Sequence, residues 1–450
     1  MRLRCLGALF LTLFVGISLH TIYVFESHEK EGRTAEIVTL RDFKVQRNSS
    51  RVGASTRRHL AFDEACPPLY EPVTPVLSSI PKNLTSNTTT SEPLFTYNPT
   101  IHKYHGSEGA TYIASFRVGT YPWLQKDYLG LALMDSRLEI LKSVVLDINL
   151  YATMQYAAKK RHANEPPLFS DYRLVWYNGT YFVTNSIAIL VLSIGDDTKP
   201  NNTPIPVMFD GGLSVRAASP VRKIRRVTKG RNFNFYTTQQ QLLLEEWPLP
   251  TPRYVGTGRK VLSIRIFDDW RFVALESWES TEAAPEPSFQ GPDAAFDRTI
   301  GNICDDRGTV CCVKLEKEYY QDLAAPTMED DYLLIGISHV KSFKRIRMSH
   351  GEKYAYLSRF YAVRPTIPPT DIVAQSGLFC WTGGVDDERM EWNGVVYDCP
   401  VIQFPSGMTE SATNSSVLLV AYGINDVTSR IVQIKKRDVA TWLFASLAEV

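Results

Sequence analysis

The chain has 450 residues, 49 Lys and Arg against 48 Asp and Glu, and a formal net charge of +1, with 22% charged and 44% hydrophobic residues. A balance this close to neutral provides no bulk field to draw nucleic acid, so a nucleic-acid partner is not expected. The seven cysteines have spacings that fit no zinc template, and no ligand spacing points to another metal.

Residues 5–25 contain no acid, Lys or Arg and match the roughly 20 residues that cross a bilayer. Arg2 and Arg4 precede the run, while Glu26, Glu29 and Glu31 follow it. The positive-inside rule then leaves residues 1–4 cytosolic and sends everything after residue 25 to the lumen. A cleaved signal peptide is the competing reading, but the apolar run is long for one and lacks a clear small-x-small site. Sequons at Asn48, Asn83, Asn87, Asn178, Asn201 and Asn414 fit a secretory-pathway chain. Cys5 lies in the span, leaving six cysteines to pair in an oxidising lumen. Cys380 with Cys399, and Cys304 with Cys311 or Cys312, are the pairs expected.

Residues 26–92 are dominated by Ser, Thr, Asn, Pro and charges and cannot bury enough surface to offset their ordering entropy. They read as a flexible, glycosylated stem. Residues 93–450 then form one domain whose apolar pattern is that of short strands. The clearest are 112–118, 129–133, 186–193, 260–267, 332–338 and 416–422. At 174–183, Leu174 to Tyr177 and Tyr181 to Val183 flank Asn178-Gly179, the dipeptide that best accepts a tight primed turn, so a β-hairpin is expected there. Two short helices are expected, near 238–246 and over 437–447. A polar lead residue, a strand, a turn and a second strand recur near residues 97, 170, 232, 330 and 397. Five such units suggest an all-β, five-bladed β-propeller, with a pair of sandwiches as the alternative. In a propeller the innermost strands bring their leading polar residues to one funnel.

Among candidate polar residues, Asp171 and Arg173 lie two apart, so on an extended chain they share one face. The pair reads either as a site or as a structural ion pair. The basic run from Arg222 to Arg231 reads as a solvated loop or as the anion-binding wall of a cleft. Glu245-Glu246-Trp247 reads as a solvated helix end or as an acceptor-side lining, and Asp268-Asp269 as a turn or a sugar contact. Asp305-Asp306 and Asp386-Asp387 fall in polar loops. Tyr356, Phe360 and Tyr361 read as core or as sugar-stacking rings.

The ordered set Tyr97-Asn98-Pro99, Ser115-Phe116-Arg117-Val118, Ser170-Asp171-Tyr172-Arg173-Leu174, Arg231-Asn232-Phe233, Thr251-Pro252-Arg253, Ile337-Ser338-His339, Phe404-Pro405-Ser406-Gly407 and Tyr422-Gly423-Ile424-Asn425-Asp426 resembles glycoside hydrolase family 130. That family consists of five-bladed propellers that cleave or build β-mannosides, mainly by phosphorolysis, and related propellers are β-mannosyltransferases. The similarity runs thinly over about residues 95–445. It implies that Asp171 is the catalytic acid or base. It further implies that Asn98, Arg117, Arg173, Tyr422 and Asp426 belong to the sugar subsite, and that Arg231, Arg253 and His339 hold phosphate. The stretch around 280–330 reads as an insertion relative to the family.

Chemically the set is coherent. Ordinary inverting hydrolysis needs two carboxyl groups. Phosphorolysis needs only the acid, because phosphate is already an anionic nucleophile and is held by cations. Run in reverse, the site takes mannose 1-phosphate or GDP-mannose as donor, no cofactor is required, and Asp171 takes the proton of an acceptor hydroxyl. The membrane anchor favours biosynthesis. The expectation is therefore a single-pass type II Golgi glycosyltransferase that adds mannose in β linkage to a glycan acceptor. A lumenal β-mannoside phosphorylase or glycoside hydrolase, and a glycan-binding propeller without catalysis, are the alternatives.

Overall fold

The computed structural model describes most residues between 94 and 444. Residues 1–93, 147–171, 195–204, 208–232, 248–258, 280–305 and 382–388, with some shorter stretches, lie outside the description. The expected membrane span and stem are among them. Among the described residues no helix is long and apolar enough to cross a membrane.

Sheet I is β1 (Leu94–Lys103), β2 (Tyr112–Thr120), β3 (Asp127–Met134) and β4 (Ile140–Leu146) in sequential antiparallel order. Sheet II is β5 (Arg173–Tyr177), β6 (Thr180–Thr184), β7 (Ile189–Ile194) and β8 (Ile205–Val207), the last pairing parallel. Sheet III is β9 (Phe233–Thr237), β10 (Leu242–Glu246), β11 (Lys260–Ile266) and β12 (Phe272–Glu279). Sheet IV is β13 (Asp306–Glu316), β14 (Tyr332–Met348), β15 (Gly351–Val363) and β16 (Ile372–Gln375). A hairpin of β17 (Arg389–Trp392) and β18 (Val395–Pro400) precedes sheet V, formed by β19 (Gln403–Glu410), β20 (Val417–Ile424) and β21 (Thr428–Lys435). The chain then enters α1 (Lys436–Phe444).

Each sheet is covered on both faces by its neighbours, which is why so many strands read as unbroken apolar runs. In β20, Leu418, Val420 and Tyr422 pack with sheet IV, while Leu419 and Ala421 pack with sheet I. Tyr236, Leu243 and Val261 of sheet III meet Leu334, Tyr361 and Val363 of sheet IV. Val175 and Phe182 of sheet II meet Leu242, Leu244 and Leu262 of sheet III. Between sheets I and II the contact is aromatic, with His105 stacked on Trp176 at 4.6 Å and Tyr181 donating from its hydroxyl to the Lys103 carbonyl. The first strands also touch in sequence: β1 meets β5 and β19, β9 meets β5 and β13, and β13 meets β19. This is a propeller-like arrangement, and its core lies between sheets as successive wedges of side chains.

Side-chain contacts fix the direction of these inner strands. Arg173, Asn234 and Phe404, near the starts of β5, β9 and β19, gather at one end. At the other, the ends of β1, β13 and β19 meet around Lys436, whose fully buried Nζ contacts Glu316 and Glu410 at 2.7 Å each, while Glu410 also pairs with Lys103. We call the first the leading end and the second the trailing end.

The expected hairpin is present, with Asn178 and Gly179 both at positive φ as a primed turn requires. The C-terminal helix also matches. Two expectations need correction. Residues 242–246 are the strand β10, every residue of it buried, because neighbours on both faces remove the need for any alternation that would separate strand from helix. Residues 306–316, placed by the sequence reading in an insertion, form the innermost strand of sheet IV; the repeat noticed near 330 marks its second strand. Cys304 and Cys380, each one half of an expected disulfide, lie outside the described residues.

His102 sits at the seam of β1 and β5. Burial pulls its pKa down to about 4, against the opposing effect of a hydrogen bond with the Leu174 backbone. The folded value lies below the unfolded one near 6.5, so the neutral ring contributes stability that is complete above pH 6.5 and is lost as pH falls towards 4. Denaturant titrations at pH 7 and pH 4.5 should differ by at most about 3 kcal/mol from this group. His102→Gln is expected to reduce that difference; an unchanged pH dependence would contradict the assignment.

Candidate functional site at the leading end of the inner strands

The leading end is built around a carboxylate sealed from water. Glu245 on β10 is 0% exposed and forms an ion pair with Arg259, which is equally buried. Asn234 Nδ2 donates to Glu245 Oε2 at 3.0 Å, and the Tyr361 hydroxyl lies 2.8 Å from both carboxylate oxygens. Burial works against the charge on Arg259, but Glu245, together with the Tyr236 and Tyr361 hydroxyls, holds the guanidinium above its ordinary value. Burial first, and then the Glu245 charge, push the Tyr361 hydroxyl well up, so it stays a proton donor. Gly336 makes room for this ring: a Cβ there would fall 2.3 Å from the Tyr361 hydroxyl end.

Because Glu245 can only accept hydrogen bonds, Asn234 must turn its amide nitrogen towards it and its carbonyl oxygen the other way. That oxygen accepts from Arg173 Nη1. The Arg173 guanidinium also lies over the Phe404 ring, 5.8 Å from its centroid, and Phe404 packs edge-on against His339. One chain of contacts therefore runs from sheet III through sheet II to sheets V and IV across the leading end. The acceptor that Asn234 offers Arg173 is a neutral amide oxygen, which orients the guanidinium.

A second group adjoins it. Asn98 occupies a bulge of β1 at positive φ, buried, with Gly423 so close that a Cβ on the glycine would come within 2.7 Å of Asn98 Oδ1. Arg117, opposite Tyr97 in the β1/β2 ladder, lies over the Tyr97 ring at 4.9 Å. Asp426, at positive φ in the turn after β20, pairs with Lys353 at 3.6 Å. Burial lowers the Lys353 pKa, Asp426 draws it back up, and the Arg117 guanidinium is near enough to lower it further. Lys353 reaches this position because β14 and β15 run on past the last β13 pairing, Asp306 with Val340, as a hairpin that overhangs the leading end.

Of the residues singled out in the sequence, the structure thus places Asn98, Arg117, Arg173, His339 and Asp426 at one end of the inner strands. Tyr422 is in the core, stacked on Trp381 at 5.2 Å. Phe360 and Tyr361 are buried, and Tyr356 packs on His339. Asp171, Arg231 and Arg253 lie outside the described residues. Sequence reasoning missed Lys353, Asn234 and Arg259, and read Glu245 as a solvated helix end or an acceptor-side lining, whereas it is fully buried. Glu245 carried a readable signal in the Leu-Leu-Leu run before it, which marks the position as interior. Lys353 carried none, since its role depends on how far a hairpin extends. Among the described residues no group of three His, Cys, Asp or Glu side chains is placed to hold a metal ion.

No protein-family model matches the chain, and no curated protein matches it. Among solved structures, the chain is similar to a glycosyl hydrolase from Bacteroides ovatus at 10% identity, with a TM-score of 0.38 over 76% of this chain and 84% of that one. It is similar to the β-1,2-mannobiose phosphorylase from Listeria innocua at 12% identity, with a TM-score of 0.39 over 78% of this chain and 92% of that one. An exo-1,5-α-L-arabinanase from a bovine ruminal metagenomic library stands at 10% identity and a TM-score of 0.34, over 76% and 92%. Likenesses of this size assign no activity.

Removing one partner of a buried pair strands the other charge, whereas removing both does not. Arg259→Met is expected to lower the urea midpoint by an amount equivalent to roughly 3–5 kcal/mol, and Arg259→Met with Glu245→Leu to restore part of it. A double variant that loses the sum of the two single effects would show that the two residues do not act as a pair.

Proposed function

We propose that residues 93–450 form a five-bladed propeller that transfers mannose in β linkage from a phosphate-activated donor, mannose 1-phosphate or GDP-mannose, to a glycan acceptor. In this reading residues 5–25 anchor the chain in the Golgi membrane as a single-pass type II protein, with residues 26–92 as the stem. The observation that carries it is the convergence of Asn98, Arg117 and Asp426. These residues come from segments about 300 positions apart in sequence, and they adjoin one another beside Arg173 and His339. They are three of the five residues that the family resemblance assigns to the sugar subsite.

The proposed reaction is a single displacement. Asp171 accepts the proton of the acceptor hydroxyl as that oxygen attacks the anomeric carbon from the face opposite the phosphate. The bond from carbon to phosphate oxygen breaks, and the phosphate leaves with the negative charge. Arg231, Arg253 and His339 stabilise that charge. Asn98, Arg117 and Asp426 hold the sugar hydroxyls. Arg173, oriented by Asn234, is assigned to positioning, since its planar fork suits the fixing of a carboxylate or phosphate.

An inverting hydrolase needs a second carboxylate with access to water; among the described residues Glu245 does not meet that requirement, being fully buried among three donors.

The test is to supply the membrane-inserted full-length chain with mannose 1-phosphate or GDP-mannose and with α- and β-mannosyl acceptors. Donor-dependent product is expected, and Asp171→Asn should lower its rate by about 10²–10⁴-fold. Turnover with water as the acceptor, or product formation indifferent to Asp171→Asn, would contradict the proposal.

A further inference from the structure

Two of the six sequons fall on described residues, and the strand register puts both at the trailing end, away from the candidate site. Asn178 occupies the two-residue turn between β5 and β6, whose partners Tyr177 and Thr180 lie at the far end of β5 from Arg173. Asn414 occupies the loop between β19 and β20, where Glu410 pairs with Leu418 at the far end of β19 from Phe404. Both asparagines are exposed, as is the residue following each. A Cβ on Gly179 would meet nothing within 4 Å, so the surface beside Asn178 is open. At Asn414 the Ser416 hydroxyl donates to the asparagine amide oxygen at 2.7 Å, and the Ser416 backbone N–H donates to the same oxygen at 3.0 Å. This is an Asx turn formed by the sequon itself. It brings together the amide and the hydroxyl by which the sequon is recognised.

We infer that Asn178 and Asn414 are N-glycosylated, and that the trailing end is the glycan-covered end of the molecule. The inference rests on the lumenal reading of residues after 25. In the step itself, the Asn amide nitrogen forms a bond to C1 of an oligosaccharide held on a lipid diphosphate. The bond from C1 to the diphosphate oxygen breaks, the lipid diphosphate leaves, and the amide gives up one proton. A glycan on either residue disturbs no buried contact, because both turns project from strand ends. It also leaves the leading end clear for a bulky acceptor.

The full-length chain, made in cells that perform N-glycosylation, should be digested with a peptide-N-glycosidase in ¹⁸O water and its peptides weighed. Conversion of both Asn178 and Asn414 to labelled Asp is expected, and Asn178→Gln and Asn414→Gln should each remove one glycan's mass. Glycans on Asn48, Asn83, Asn87 or Asn201 but on neither Asn178 nor Asn414 would overturn the inference and leave the lumenal reading standing. A chain unmodified at all six would overturn both.

Discussion

A carboxylate with no exposure to water has to be surrounded by donors, and the leading end of this protein is arranged around that requirement. Glu245 draws Arg259 and Tyr361 towards it and fixes the orientation of Asn234, whose oxygen in turn receives Arg173. These residues belong to sheets II, III and IV, so the satisfaction of one buried charge ties three sheets in register. An apolar group of the same shape would cost less to bury. What the ion provides is direction, because acceptors and donors alternate along the chain of contacts and each side chain has one satisfactory orientation.

The two ends of the inner strands solve different problems with similar chemistry. At the trailing end Lys436 gathers Glu316 and Glu410, and Glu410 holds Lys103, so that α1 and the ends of three inner strands are joined. Those carboxylates are partly exposed, and the cluster lies beside short polar turns. Both ends carry less common backbone conformations: Leu138 and Asn178 have positive φ in turns at the trailing end, and at the leading end Asn98, Asn425 and Asp426 have positive φ, with Gly423 closing on Asn98. Conformations of this kind in non-glycine residues cost energy and persist where surrounding structure holds them. Asn425 illustrates how, since its backbone N–H donates to the Ile402 carbonyl and its side-chain oxygen accepts from the Ile402 N–H. The turn that presents Asp426 is therefore held on both sides.

Much of the architecture was legible because local signals were strong. Asn178-Gly179 between two apolar runs specifies a hairpin almost alone, and the run from Val417 to Ile424 has too many β-formers to be misread. The strand 242–246 was not legible, since five consecutive buried residues show no period. The innermost strand of sheet IV was hidden for a related reason. Asp306, Arg307, Lys314 and Glu316 give the segment a polar look, while its interior residues Thr309, Val310 and Leu315 are spaced across two register shifts. For the site, Arg173 stood out beside Asp171 on an extended chain, while Asn98, Arg117, His339 and Asp426 came from the family resemblance. Asn234 and Lys353 escaped because their significance lies in what they touch across sheets. Tyr422 shows the converse, a residue inside a suggestive motif whose side chain packs on Trp381 in the core.

The most direct measurement is a structure of the Asp171→Asn chain with mannose 1-phosphate bound. The sugar should lie against Asn98, Arg117 and Asp426, with its phosphate towards His339 and the basic residues of the Arg231 and Arg253 segments. A ligand bound at the trailing end, or a leading end that stays closed over Asn98 and Asp426 with the ligand elsewhere, would contradict the assignment of the site to the starts of the inner strands.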